Sequence, residues 1–307
     1  MKKKTLFSRI SCAMLHAVLL TTCASVPRIA EDESAIHVVL IGLDAWGAYS
    51  VPGADIPVIR QMMAHGAYTL EDLSVMPSDS APNWMSMFSG ADPGLHGFTS
   101  WNSKEPGFQP AAVDSRAFFP GIFGLLRDQK PESTIAYFYE WSGMKYLVPK
   151  DVPNRMKLVP LLSYWKPGAN KIARYIKKQK PGFAFIGFYG TDMTGHSKGH
   201  DTPAYYKKLS QIDGYIGIIE QAVKDAGIYD NTIFILTADH GGVGKGHGGE
   251  SMQERQVPLI LYGKGIKKGY EIVGEVHTYD TASTIARIFG LVQPDVWIGK
   301  PVEEAFE

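Results

Sequence analysis

Cysteine is almost missing from this 307-residue sequence, and the only two, Cys12 and Cys23, lie close to its start. A disulfide scaffold and a thiolate metal site are therefore excluded for everything downstream. Excess charge is missing as well, since 31 Lys+Arg balance 31 Asp+Glu. A neutral chain has no broad field with which to capture nucleic acid or anionic lipid, so no sequence-specific nucleic-acid partner is expected. Internal repeats, charge runs and low-complexity segments are lacking too. What is present is apolar: 45% of residues are hydrophobic and 11% aromatic, enough for a sizeable core and against disorder.

Lys2, Lys3, Lys4 and Arg9 precede an apolar stretch from Ile10 to Leu20, and small residues follow (Thr21, Thr22, Cys23, Ala24). That order describes a secretory signal over residues 1–24, because a membrane span needs roughly 20 apolar residues. Leu20-Thr21-Thr22-Cys23 also resembles a bacterial lipoprotein box, in which Cys23 would carry a lipid anchor to the membrane. Both readings export the protein to the periplasm or cell envelope. Residues 25–36 read as a linker and 37–307 as the folded domain.

The run His37–Leu43 is short, β-branched and closed by a turn, which predicts a buried strand. Further strands are expected around Leu70–Val75, and over Ser133–Tyr139, Gly182–Tyr189, Asn231–Thr237 and Val257–Tyr262. Helical patterns fall between them at 55–64, 81–89, 120–128, 168–179, 203–226 and 281–291. In the longest, Leu209, Ile212, Ile216, Ile219 and Val223 share one face. Alternating strands and amphipathic helices predict a three-layer α/β/α fold around a mostly parallel central sheet. Residues 103–165, rich in Pro, Gly and aromatics, read as a small insertion over the sheet edge that shapes the pocket.

Ligands in such sheets bind beyond the carboxyl ends of the strands. Asp44 ends the first strand. Asp192 and His196 follow the strand that ends at Tyr189, Asp239 and His240 follow the one ending at Thr237, and His247 comes shortly after. Three aspartates and three histidines form an oxygen and nitrogen donor set suited to two divalent cations, zinc foremost and manganese as the alternative. Two such ions about 4 Å apart clamp an in-line displacement at phosphorus. Ser80 opens the helix at 81–89 as its expected N-cap, and metal coordination would activate its hydroxyl. Each residue also has a plainer reading. Asp44 could end a turn, Ser78 competes with Ser80, and His277 competes with His247. His96 reads as a turn-fixing residue, His200 as a surface residue, and His37 and His65 as structural. Tyr137, Tyr139, Trp141 and Trp165 read as packing residues.

Asp44, Ser80-Ala-Pro-Asn83, Pro93-Gly-Leu-His-Gly97, Asp192 with His196, Asp239-His-Gly241 and His247 together resemble the alkaline phosphatase superfamily. Within it, the nucleotide pyrophosphatase/phosphodiesterase branch is the most similar, over residues 37–291. The resemblance implies an alkaline-phosphatase-like fold in which Asp192, His196 and His247 bind one zinc and Asp44, Asp239 and His240 a second. It also implies Ser80 as the nucleophile, a phosphoserine intermediate, and Asn102 as a contact to a phosphoryl oxygen. The implied activity is hydrolysis of a small phosphate diester or nucleotide. A phosphomonoesterase is the rival and would need extra cations, for which Lys104, Arg116, Lys145 and Arg155 are candidates. A sulfatase would need arginine where Trp84 stands. A non-catalytic surface binding protein is the third alternative, and the oligomeric state stays open.

Overall fold

A computed structural model describes residues 35–307, so the expected signal, Cys23 and most of the linker lie outside the described residues. Eight strands form one sheet: β1 (His37–Leu43), β2 (Ala67–Leu73), β3 (Ile135–Tyr139), β4 (Arg155–Leu158), β5 (Phe183–Phe188), β6 (Thr232–Thr237), β7 (Gln256–Gly263) and β8 (Tyr270–Glu271). Helices α1 (Pro57–Ala64), α2 (Ser80–Ser89), α3 (Pro93–His96), α4 (Ile122–Gln129), α5 (Lys166–Gln179), α6 (Gly190–Lys198), α7 (Pro203–Asp225), α8 (Met252–Arg255) and α9 (Asp280–Phe289) complete the described fold.

The sheet runs β4-β3-β5-β1-β6-β7-β2-β8, and β7 alone is antiparallel to its neighbours. The central strands β1, β5 and β6 are buried nearly end to end because helices cover both faces. Alternate side chains of β1 feed opposite layers. Val38 and Leu40 join a core with α2, α4 and α9, whereas Val39, Ile41 and Leu43 join one with α5 and α7. The apolar stripe anticipated on α7 is buried throughout, and Gly290 closes α9 in the left-handed region as its position suggests.

Several expectations shift. The strand placed around Leu70–Val75 lies earlier, at β2. Ser80 is the first residue of α2 and Asp79 takes its N-cap. Within the segment 103–165, the helix and strand anticipated at 120–128 and Ser133–Tyr139 appear as α4 and β3, and an unanticipated strand, β4, adds the edge of the sheet beside β3. Trp165, expected to pack, is 62% exposed, whereas Tyr137 and Tyr139 are buried as expected.

Register sets up the site. Leu43 of β1 pairs with Phe188 of β5, and Gly42 pairs with Thr237 of β6. The three strands therefore end together, and each next turn emerges at the same edge. Strand order reverses there, with β5 on one side of β1 and β6 on the other, which is where a doubly wound sheet leaves a crevice.

Candidate metal centre

Asp44 follows β1 directly, and its amide donates to the Phe188 carbonyl at 2.8 Å, extending the parallel ladder. Its Oδ2 accepts from Trp84 Nε1 at 3.1 Å. Trp84 can reach it because β1 has glycine at position 42, where a Cβ would stand 2.3 Å from the indole. Asp239 Oδ1 accepts the Ala45 and His240 amides, each at 3.0 Å. Asp192 sits in the first turn of α6, which a clamp holds in place. The Glu140 carboxylate accepts from the Ser163 amide and hydroxyl and from the Tyr189 amide, while Ser163 Oγ accepts from the Gly190 amide at 2.9 Å.

Each aspartate keeps one oxygen without a hydrogen-bond partner: Asp44 Oδ1, Asp192 Oδ1 and Asp239 Oδ2. All three carboxylates are at most 2% exposed. Such groups carry a large desolvation penalty unless a donor or a cation faces them.

The imidazoles supply the rest of the donor set. His196 Nδ1 lies 2.9 Å from the Lys245 carbonyl oxygen, and His240 Nδ1 lies 2.7 Å from that of Gly241. His247 Nδ1 lies 3.2 Å from the Ser78 carbonyl oxygen. A carbonyl only accepts, so the proton of each neutral ring is on Nδ1 and the lone pair is on Nε2. Those lone pairs converge on the orphaned oxygens. His240 Nε2 is 3.6 Å from Asp44 Oδ1 and 3.4 Å from Asp239 Oδ2. His196 and His247 Nε2 stand 3.3 and 3.5 Å from Asp192 Oδ1. Asp192, His196 and His247 form one compact donor group and Asp44, Asp192 and His240 another, so Asp192 belongs to both. Asp239 adjoins the second group through His240. Three buried, unsatisfied carboxylates with imidazole nitrogens, buried at His240 and exposed at His196, make an oxygen and nitrogen set that fits divalent cations.

Charge shifts express the same frustration. Burial, then the charges of Asp239 and Asp192, push the Asp44 carboxyl well up. Burial and Asp192 push Asp239 up, against its backbone hydrogen bonds. Burial would raise Asp192 too, but His196 and the other imidazoles outweigh it and hold this carboxyl down. His196 is raised to about 9, chiefly by its bond to Asp192. His240 is lowered to about 3 by burial and by His247.

Ser80 Oγ faces this centre, 3.3 Å from His240 Nε2. Asn102 is exposed, on a turn that meets α2 through a 3.2 Å bond from the Ala81 amide to the Trp101 carbonyl. From the same turn rises an aromatic wall: Trp101 stacks on Trp141 at 6.5 Å, and Trp141 on Tyr189 at 6.1 Å. Trp101 is 53% exposed.

His277 lies away from these ligands, with Glu275 and Tyr279. His200 is not on the surface. It is 4% exposed, its ring against the Gly195 and Gly242 backbones. His96 does fix a turn, through the Phe98 amide and Ser86. Sequence reasoning passed over Glu140 and Asp79. Asp79 stands between the two serines that were weighed, which was the available signal.

Layers, strand order and an Asp/His centre at the carboxyl edge define a protein of the alkaline phosphatase superfamily. The profile described as "Type I phosphodiesterase / nucleotide pyrophosphatase" matches residues 38–245, and the chain belongs to that family. The chain is 34% identical over 122 residues to a phosphopentomutase of Alkaliphilus oremlandii, covering 39% of this chain and 29% of that protein. It is 22% identical over 234 residues to ectonucleotide pyrophosphatase/phosphodiesterase family member 1 of Mus musculus, covering 72% of this chain and 26% of that one. The chain thus spans under a third of the length of these curated relatives. Among solved structures, an inactive variant of murine ectonucleotide pyrophosphatase/phosphodiesterase 5 in complex with AMP superposes with a TM-score of 0.68 at 14% identity. That match covers 84% of this chain and 96% of the other, and it shows the fold.

Proposed function

We propose that the protein is a two-zinc phosphoric ester hydrolase of the phosphodiesterase/nucleotide pyrophosphatase type, acting in the cell envelope. One observation carries the reading: three orphaned carboxylate oxygens and three imidazole Nε2 atoms converge where the Ser80 hydroxyl points. Asp192, His196 and His247 would hold one ion, and Asp44, Asp239 and His240 the other, with manganese as the alternative metal. Bound there, the ions supply Lewis acidity that activates a hydroxyl and stabilises charge on phosphoryl oxygens.

Ser80 Oγ bonds to phosphorus as the bond to one ester oxygen breaks, the hydroxyl proton passing to the departing alkoxide, and a diester leaves a phosphoserine that still carries its second ester group. Water then attacks phosphorus, the bond to Oγ breaks, and the serine hydroxyl is restored. The Ser80 amide, at the first position of α2, offers a donor to a non-bridging oxygen. Asn102, on the turn bonded to that helix, is assigned a second such contact.

A diester is favoured over a monoester by what surrounds the aspartates. Among the described residues, no lysine or arginine is among the main groups acting on Asp44, Asp192 or Asp239. Arg116 is tied to Asp114 and Asp128. Arg155 is exposed on the edge strand β4, and Lys104 and Lys145 stand over the Tyr146 ring. The Trp101–Trp141–Tyr189 wall suits a flat leaving group, and the AMP-bound murine relative supports a small nucleotide. Bis-p-nitrophenyl phosphate should turn over at least tenfold faster than p-nitrophenyl phosphate with zinc present. The reverse order would assign a phosphomonoesterase, and loss of both activities would favour a binding protein.

A further inference from the structure

Asp79 occupies the N-cap of α2 with the extended backbone of a capping residue, φ −116° and ψ 160°. An aspartate there ordinarily turns its carboxylate onto the free N–H groups of the first turn, for about 1 kcal/mol of helix stability. Here neither usual partner is free, since Pro82 has no N–H and the Ala81 amide donates to the Trp101 carbonyl, and the carboxylate makes no capping bond. Its Oδ1 lies 3.1 Å from His247 Nδ1. The 246–249 loop is shaped around that carboxylate. At Gly248, where φ is +104°, a Cβ would stand 2.9 Å from Asp79 Oδ1. The next residue along from Gly248 is pinned as well, since the Gly249 carbonyl accepts from Ser78 Oγ at 2.6 Å and its amide donates to Glu254 Oε1 at 2.9 Å.

We propose that Asp79 is a positioning residue. Its carboxylate, with the Ser78 carbonyl, holds His247 in the tautomer and orientation that aim Nε2 at a divalent cation, and it does so from the position next to the nucleophile Ser80. The inference rests on the reading of His247 as a metal ligand. Carboxylates behind ligating imidazoles typically carry 10–100-fold in metal affinity. The Ser78 carbonyl remains in any Asp79 variant, which puts the expected loss at the lower end of that range.

The variant Asp79→Ser tests this, because serine keeps a small polar side chain beside the helix start but is too short to reach His247. Zinc affinity is measured on the full chain by competition with a chromophoric chelator, and melting temperature on the zinc-free protein. D79S is expected to bind one of two zinc equivalents roughly tenfold more weakly, with its zinc-free melting temperature unchanged. Asp79→Asn, which keeps a side-chain oxygen at the same reach, is expected to recover part of the loss. Unchanged zinc affinity in D79S overturns the proposal. If D79S proves unstable, Asp79→Ala replaces it: zinc affinity in D79A equal to the wild type overturns the proposal equally. A wild-type protein that takes up no zinc would overturn the metal reading beneath and this inference with it.

Discussion

His196 Nε2 and His247 Nε2 stand 3.2 Å apart, and the Nδ1 atoms of both rings are committed to carbonyl oxygens. Two lone pairs cannot face each other at that distance, beside a buried carboxylate oxygen, without a positive charge between them. A proton serves in the metal-free protein, in line with the raised value of about 9 at His196. A divalent cation serves better, because it meets all three donors at once.

Zinc should therefore stabilise the fold by mass action. At a free concentration one hundred times the dissociation constant, one site contributes about 2.7 kcal/mol. The melting temperature is expected to rise on adding zinc and to fall again with a chelator. His247→Ala should lose a large part of that rise. Calorimetry of the three states measures it.

Ser80→Ala removes the only protein atom proposed to bond to phosphorus and none of the six Asp and His donors. Turnover of a chromogenic diester is expected to fall by at least a thousandfold, with zinc uptake unchanged. Mass spectrometry of acid-quenched wild-type enzyme should find the phosphoryl group, with the retained ester of the diester still attached, on Ser80 and none in the variant. Full turnover by S80A would refute the assignment.

The acid limb of the stability profile should report His96. Burial holds its imidazole down to about 3 in the folded chain, whereas an unfolded chain titrates near 6.5. Between those values the unfolded state binds a proton that the folded state refuses. Stability from this residue is thus complete above about pH 6.5 and is lost as pH falls toward 3, by about 1.4 kcal/mol per pH unit. Denaturant titrations of zinc-free protein across that window should show a slope one proton shallower in His96→Gln.

Much of the site was legible in the sequence, for a physical reason. Buried parallel strands are continuous apolar runs, so Asp44 and Asp239 stand out as the first polar groups after them. The histidines followed at spacings that the resemblance could use. The supporting residues were not legible, because their roles depend on contacts between distant segments. Glu140 meets Ser163 and Tyr189 only once β3 lies beside β5. Asp79 meets His247 across 168 positions of chain, and its sequence context advertises only a helix cap. His200 looked like a solvated loop residue, since nothing local showed that Gly195 and Gly242 would close over it. Strand β4 was hidden for a related reason. It is a short edge element that alternates exposed and half-buried residues without an apolar run.

The central claim is that six side chains from three strand ends hold two cations before one hydroxyl. Anomalous diffraction at the zinc edge, from crystals of zinc-loaded protein, tests it most directly. The account expects two strong peaks, one among Asp192, His196 and His247 and one among Asp44, Asp239 and His240, with Ser80 Oγ facing the latter. A single peak elsewhere, or none among these residues at saturating zinc, would contradict it.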